Sequence, residues 1–221
     1  LLLDRYSTLG VLRSSRTFDE ICSSCRSQNS FLITEGDVPR LIVAGQEVDN
    51  PAVFEFVLNQ DGAFLQNKTV LGGVQGQAIR PLPLSDGKFA LVGDLNFGNA
   101  DSTQAFIAKL DVISEGAIPT WINTLNFFRE GFEDIYEDSN GELLAIGTHF
   151  NPLSGEDIIF GRFDTFSGRL IQSRLFGSPQ NEGARRLVFQ NNRWLAFGFV
   201  ESNTFLGFRD IQLSSLPLNE N

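Results

Sequence analysis

Short runs in which hydrophobic and polar residues alternate recur along the whole chain. They include VFEFVL (53–58), AFIAKL (105–110), IIFGRF (158–163) and LGFRDIQL (206–213). Alternation with a period of two predicts β-strands that bury one face. A second set of apolar runs, RLIVAG, KFALVG, ELLAIG and RWLAFG, ends at Gly45, Gly93, Gly147 and Gly198. The pattern predicts an all-β chain.

The four glycines mark an internal repeat. They are 48, 54 and 51 residues apart. Three of the apolar runs follow a residue pair that accepts the positive φ of a tight turn, namely Asp86-Gly87, Asn140-Gly141 and Asn191-Asn192. Four short strands in each unit of about 50 residues indicate the blades of a β-propeller.

We therefore predict about four four-stranded antiparallel blades, over approximately residues 11–59, 63–111, 117–164 and 169–213. Residues 1–10 would then form the outer strand of a preceding blade, which leads us to expect a larger parent propeller. The alternative is that this strand closes the ring by joining another blade. A β-sandwich or β-solenoid is the alternative, because short strands separated by turns also suit those folds. The repeated order of tight and long connections favours the propeller.

The fourth repeat shows the pattern most fully. It reads FDTFSGRLIQSRLFGSPQNEGARRLVFQNNRWLAFG, and the third repeat adds Trp121. The first repeat departs from it, with a cysteine segment in place of FG and EGA. This order of motifs resembles the tandem-repeat β-propeller-type proteins of bacterial cell envelopes and secretomes. The resemblance implies a propeller fold and export, and it implies no particular reaction.

Composition and charge narrow the classes of partner. The chain has 221 residues with 21 Phe, 21 Gly and no Met, which suits aromatic strands joined by tight turns. A formal charge of -10 would repel phosphate backbones, so no nucleic-acid partner is expected. No apolar run reaches the roughly 18 residues of a membrane-spanning helix. We expect an extracytoplasmic protein, secreted or at a bacterial cell surface, for which an outer-membrane lipid anchor upstream would also fit.

The two cysteines, Cys22 and Cys25, stand in EICSSCR. One histidine in the chain cannot complete a four-ligand zinc site, and Arg26 occupies the place where a haem attachment motif requires His. A βαβ context for a thioredoxin-like site is missing as well. A local disulfide is therefore expected, with a pair of thiols as the alternative. We predict neither a metal ion nor a cofactor.

Candidate catalytic residues are weakly supported by the sequence. His149 has no nucleophile motif such as G-x-S-x-G to serve, so we expect a surface or loop-packing role. Asp134 and Asp138, next to Glu133 and Glu137, share a parity and could face one side of a strand, although hairpin solubility is the preferred interpretation. The oxygen-rich loops around Asp94 and Asp157 lack EF-hand spacing, and solvated turns are expected there.

Long loops that differ between repeats are predicted to share one face of the propeller. Such loops on a rigid scaffold are common recognition sites. The binding residues that we expect on this face are Phe97, Asn99, Asp101, Phe150, Asp157 and Phe205. Our first hypothesis is a non-catalytic interaction or scaffold module with a protein partner in a cell-envelope assembly. The alternative is a glycan-binding or glycan-hydrolysing propeller, for which Asp134 and Asp157 are the carboxylates to test.

Overall fold

Regular structure in the computed structural model consists of strands. The described residues are 2–6, 12–17, 25–33, 39–48, 50–59, 62–71, 75–96, 103–113, 116–125, 129–153, 155–191, 193–201 and 209–216. Within these ranges there is no helix, so the predicted all-β class is confirmed.

The strands are numbered β1 to β17 in chain order. Their bounds are Leu2–Tyr6, Leu12–Thr17, Cys25–Ile33, Arg40–Glu47, Asn50–Asn59, Gly62–Val70, Gln75–Pro83, Phe89–Asn96, Thr103–Ile113, Gly116–Thr124, Glu130–Glu137, Leu143–Asn151, Gly155–Phe163, Leu170–Phe176, Glu182–Gln190, Arg193–Glu201 and Arg209–Leu216. The apolar runs that end in glycine lie in β4, β8, β12 and β16. Each of these is the second strand of a sheet, and in β8 and β12 both faces are buried, which explains their near-continuous hydrophobicity.

Antiparallel pairing joins the strands into successive sheets. The first sheet has the order β3-β4-β5-β6, the second β7-β8-β9-β10, the third β11-β12-β13-β14 and the fourth β15-β16-β17. Strands β1 and β2 pair separately as a hairpin. Neighbouring strands in every sheet are consecutive in the sequence, which is the up-and-down order of propeller blades.

The sheets stack face to face in chain order. The first strand of each sheet lies against the first three strands of the sheet before it: β7 contacts β3 to β5, β11 contacts β7 to β9, and β15 contacts β11 to β13. Three apolar clusters fill the three interfaces, centred on Phe89, Phe132 and Phe160. Because β3, β7, β11 and β15 contact one another in turn, they are the innermost strands of a β-propeller and border its central channel.

A β-bulge recurs at one place in all four innermost strands. The register slips once in each, leaving an extra residue: Gln28, Ile79, Glu133 and Arg185. The repeat glycine of the second strand lies opposite the bulge. A Cβ atom on Gly147 would stand 1.8 Å from the carbonyl oxygen of Gly131, and the other three repeat glycines have the same clash at 1.8 to 2.0 Å. Close backbone approach at the bulge therefore explains why glycine recurs there.

Tight turns close the hairpins where the sequence predicted them. Gly87, Gly141 and Asn191 have φ values of 81°, 75° and 51°. The first two turns are also hydrogen-bonded alike, since Gly87 N donates to Leu84 O at 3.1 Å and Gly141 N donates to Asp138 O at 3.0 Å. The positive φ values are those that Asn and Gly tolerate best.

The hydrogen-bonded sheets begin one strand later than the predicted blades. Strand β6 (Gly62–Val70) pairs with β5 and closes the first sheet, whereas the predicted blade 63–111 groups it with the strands that follow. Strand β1 (Leu2–Tyr6) pairs with β2 (Leu12–Thr17), which the prediction assigned to the next blade. Alternation marks a strand without showing which of its two sequence neighbours it pairs with, and this accounts for the shift.

Candidate functional site

Polar side chains on the innermost strands and on β8 meet across the sheets. They come from the bulge, from the residue two positions before it, and from the residue after the repeat glycine. We call five of them the axial track: Gln28, Gln77, Asp94, Glu133 and Arg185. All five are half-buried or exposed, although the strands that carry them are flanked by buried apolar residues. The channel wall is therefore polar and open to solvent at this level.

Two amides and one carboxylate form the first half of the axial track. Gln28 Nε2 donates to Gln77 Oε1 at 3.0 Å, which links the first sheet to the second. Gln77 Nε2 donates in turn to Asp94 Oδ2 at 2.8 Å. Asp94 lies in β8, one residue after Gly93, and not in the solvated turn that the sequence suggested. Its side chain faces the third sheet, with Cβ 3.5 Å from the Cβ position of Gly131.

Asp94 is the carboxylate with the most altered proton affinity in the axial track. Burial is the largest cause, and it raises the pKa of Asp94 to about 6. The hydrogen bond from Gln77 opposes this rise in the pKa, and the negative charge of Glu133 adds to it. A substantial fraction of Asp94 is consequently protonated at mildly acidic pH, as a proton donor in catalysis requires.

A charge pair forms the second half of the axial track. Arg185 Nη1, on the bulge of β15, contacts Glu133 Oε1 on the bulge of β11. The Arg185 guanidinium also lies 5.8 Å from the ring centroid of Phe199. That ring covers Gly183, where a Cβ atom would be 2.5 Å from it and 2.8 Å from Thr148 Oγ1. Glycine at 183 thus makes room for an aromatic side chain at the channel.

Asp134, one residue after Glu133, has a structural role. Its Oδ2 accepts from Leu187 N at 2.7 Å, and its Oδ1 lies 2.5 Å from Arg80 Nε. Burial raises the pKa of Asp134, while these two partners act in the opposite direction. Asp134 therefore joins the second, third and fourth sheets instead of facing a ligand.

The predicted common face of Asp134 and Asp138 is not observed. The bulge interrupts the alternation before Asp134, and β11 ends at Glu137. Asp138 lies in the turn, where its Oδ1 accepts from the backbone N–H groups of Asn140 and Glu142, both at 2.9 Å. The two carboxylates thus fasten different parts of the third sheet.

His149 belongs to a buried cluster on three strands of the third sheet. In the register it stands opposite Glu130 on β11 and Asp157 on β13. All three are buried, and His149 Nδ1 is 3.0 Å from Glu130 Oε1. Burial lowers the pKa of His149, and the charge of Asp157 opposes that change. The expected surface or loop-packing role of His149 is therefore wrong, because His149 is buried within β12, and Asp157 lies inside β13 and not on a loop.

The other expected binding residues fall in two groups. Phe150, at the end of β12, is half-buried and packs under the Arg129 guanidinium, 5.1 Å from its ring centroid. Four lie outside the described residues: Phe97, Asn99, Asp101 and Phe205. Cys22 also lies outside them, and Cys25 is described only by its backbone in β3. The disulfide and the loop site stay predictions.

The described residues contain no group of three or more His, Cys, Asp or Glu side chains placed to hold a metal ion. They also include no helix long and apolar enough to cross a membrane.

The sequence pattern does not predict the axial track. It places Asp94 only in an oxygen-rich loop and Glu133 only in a carboxylate pair with Asp134, with solvated turns and hairpin solubility as the preferred interpretations. It singles out neither Gln77 nor Arg185. The repeat itself could have indicated these residues. Each lies within two positions of a repeat glycine or of the bulge residue opposite that glycine. Aligning the repeats on that glycine would have brought them together.

No family model and no curated protein matches the chain. Solved structures do match its fold. A protein from Bifidobacterium bifidum S17 assigned as an exo-beta-1,3-galactanase matches with a TM-score of 0.57 at 11% identity, over 98% of this chain and 78% of that one. The endo-arabinase from Bacteroides thetaiotaomicron VPI-5482 matches with a TM-score of 0.51 at 8% identity, over 86% and 75% of the two chains. At such identities the likeness concerns the propeller-type fold alone.

Proposed function

We propose that this protein is a glycan-hydrolysing β-propeller whose active site is the axial track. The observation that carries the proposal is Asp94, a half-buried channel carboxyl with a pKa of about 6 that lies within the field of a second carboxylate, Glu133. Paired carboxyl groups with separated proton affinities are the basic requirement of glycoside hydrolysis. Two solved propeller-type structures named as glycan-cleaving enzymes are consistent with this function.

The two carboxyls would take complementary roles. Protonated Asp94 gives its proton to the glycosidic oxygen as the bond from the anomeric carbon to that oxygen breaks. Glu133 accepts a proton from the water that attacks the anomeric carbon. Arg185 fixes the position of Glu133, and Gln77 fixes that of Asp94. Phe199 offers an apolar ring against which a sugar could pack.

Export fits the same function. Polymeric glycans are met outside the cytoplasm, so the extracytoplasmic location expected from the sequence is part of this proposal. The chain's formal charge of -10 further favours substrates without phosphate or sulfate groups.

Hydrolysis of galactan, arabinan and xylan would test the proposal directly. We expect reducing sugar to be released from at least one polymer, with a loss of about a hundredfold or more in Asp94→Asn and Glu133→Gln. Asp111→Asn is the matched control, because Asp111 is an exposed carboxylate at the end of β9 that pairs only with Lys88 in the described contacts. Folded protein that cleaves none of the polymers, or activity that survives both channel variants, would contradict the proposal.

A protein-interaction module is the second candidate, and one surface favours it. On the fourth sheet Val188 and Phe197 are 43% and 41% exposed, whereas Ile146 and Val92, which stand like Phe197 one residue before the repeat glycine, are fully buried by the following sheet. Uncovered apolar sheet faces of this kind mark contact sites. Size measurements with purified envelope proteins, compared between wild type and Phe197→Lys, would detect such a complex independently of hydrolysis.

A further inference from the structure

The two glutamines of the axial track form a hydrogen-bonded chain that has a direction. A side-chain amide donates only through its nitrogen and accepts only through its oxygen. Gln28 Nε2 donates to Gln77 Oε1 at 3.0 Å, and Gln77 Nε2 donates to Asp94 Oδ2 at 2.8 Å. Both N–H groups therefore point toward the Asp94 end of the chain, and Asp94 Oδ2 is held as an acceptor.

The backbone holds Gln77 beside Asp94. Gln77 on β7 and Asp94 on β8 are directly opposite in the antiparallel register, which places their side chains on the same face. A backbone hydrogen bond from Gln77 also reaches the Asp94 carboxyl group and acts to lower the pKa of Asp94. Gln77 thus offers two donors to Asp94, which suits a carboxyl oxygen that carries no proton.

The amide chain restricts where the proton of Asp94 can lie. Glu133 of β11 is the charged group that acts on Asp94 from the facing strand, and together with burial it favours the protonated carboxyl group. A proton on Oδ2 would point at the Gln77 N–H group, so two donors would face each other. Gln77 could accept that proton only by turning its amide, and its nitrogen would then face the nitrogen of Gln28. Both amides would have to turn together.

We propose that the Gln28–Gln77 amide chain places the acid proton of Asp94 on Oδ1, and that Gln28 is a positioning residue although it lies on another sheet. This inference rests on the proposed function and adds the atom from which the proton leaves. As the proton passes from Oδ1 to the glycosidic oxygen, the electron pair of the bond to the anomeric carbon moves to that oxygen. Asp94 becomes a carboxylate that Gln77 already faces with its donors, so neither amide has to turn during the step.

Gln28→Glu is the informative substitution, because a carboxylate accepts hydrogen bonds and cannot donate them. It should turn the Gln77 amide, so that Gln77 Oε1 faces Asp94 and stabilises a proton on Oδ2. We expect the pKa of Asp94 to rise by about 1 or more. Ser30→Glu is the matched control, since it adds the same charge at an exposed position of the same strand. Gln28→Ala should raise the pKa of Asp94 less than Gln28→Glu does, because water can replace the donor at this exposed residue.

NMR of the protein without substrate measures both effects. Titration of the Asp94 carboxyl carbon gives the pKa of Asp94 in each variant. In wild type the side-chain N–H signals of Gln77 should move downfield as Asp94 loses its proton, because a hydrogen bond to a carboxylate is the stronger one. This movement should be reduced in Gln28→Glu and retained in Ser30→Glu.

The pH profile of kcat/KM on a polymer that wild type cleaves gives a third readout. Activity that requires protonated Asp94 should extend to higher pH in Gln28→Glu, by as much as the pKa of Asp94 rises, and far less in Ser30→Glu. Equal pKa values of Asp94 in these two variants, or Gln77 signals that ignore the Asp94 titration, would overturn the inference whatever the activity. If the NMR results are as expected and no polymer is cleaved, the proposed function is overturned and the placement of the Asp94 proton stands.

Discussion

Glu133 and Asp134 are adjacent carboxylates that lie in different surroundings. The Asp134 side chain is 3% exposed; it accepts a hydrogen bond from the backbone N–H group of Leu187 and forms a salt bridge with Arg80, and these partners lie on two other sheets. The Glu133 side chain is 23% exposed and faces an arginine that is itself half exposed. The difference arises from the bulge, which gives β11 one residue more than its partner strand and turns Glu133 toward the channel.

These two adjacent carboxylates have different roles. A buried carboxylate whose partners are all backbone or fixed cations is held for stability, because its removal leaves those partners unpaired. A half-exposed carboxylate beside an accessible channel can gain or lose a proton, or exchange its partner, when a ligand binds. We therefore expect stability to depend on Asp134 and ligand interactions to depend on Glu133.

The largest effect is expected for Asp134→Ala. The change leaves Leu187 N–H and the Arg80 guanidinium without their carboxylate, and should lower the free energy of unfolding by about 3 kcal/mol or more. Urea unfolding followed by Trp fluorescence measures it. Glu133→Gln, on the adjacent residue, should cost less than about 1 kcal/mol. Equal losses in the two variants would show that Glu133 and Asp134 contribute equally to stability.

The next largest effect concerns two glycines on facing strands. Gly147→Ala places a methyl group 1.8 Å from Gly131 O, so the bulge must open, at a cost of about 2 to 3 kcal/mol. Gly131→Ala places its methyl group 3.5 Å from Asp94 and should cost less than about 1 kcal/mol. Thermal unfolding of both variants checks this difference. If Gly147→Ala unfolded at nearly the same temperature as wild type, the bulge would not be rigid.

Much of the fold could be predicted from the sequence because its signals are local. The repeat glycines, the Asp-Gly and Asn-Gly turns and the alternating runs each act over a few residues, and they appear where they were expected within the described residues, which include only 209–213 of the last run. The grouping of strands into blades was predicted one strand too early, because strand pairing depends on contacts between segments and not on the residues of one strand. Strand β6 shows this, since nothing in its own residues selects β5 over β7 as its partner.

The axial track could not be predicted from the residue pattern of single strands for a similar reason. Gln28 and Gln77 are 49 residues apart, and Glu133 and Arg185 are 52 apart, so only the stacking of sheets brings them together. The bulge also breaks the parity rule from which Asp134 and Asp138 were expected to share a face. The alternation of side chains between two faces fails at a bulge, where a strand gains a residue. In this propeller the polar residues of the channel lie at or next to the bulges.

A smaller effect should appear in the pH dependence of stability. The pKa of Asp94 is about 6 in the folded protein against 3.8 as the ordinary value, so the folded state binds this proton more tightly. Its contribution to stability is full below pH 3.8 and is lost as pH rises through 6. Between those limits wild type should lose about 2 kcal/mol relative to Asp94→Asn.

Urea unfolding of both proteins at several pH values between 4 and 7 gives this difference, and an NMR titration of the Asp94 carboxyl carbon gives the proton affinity itself. Asp111→Asn is the control, and its profile should parallel that of wild type. Profiles of wild type and Asp94→Asn that run parallel would show that Asp94 is no better shielded from water than an ordinary surface carboxylate.

The smallest effect is expected for the exposed ion pair of Lys88 and Asp111, whose Nζ and Oδ2 atoms are 3.3 Å apart. Both side chains are partly in solvent, 31% and 45% exposed, so a double-mutant cycle should give about 0.5 kcal/mol or less. This coupling should vanish in 1 M salt, where screening acts over only about 3 Å. The pair of Arg80 and Asp134, in which the carboxylate is buried, should keep most of its coupling under the same conditions. A surface pair that coupled as strongly as the buried one would mean that charge, and not the exclusion of water around Asp134, decides which carboxylates hold the sheets together.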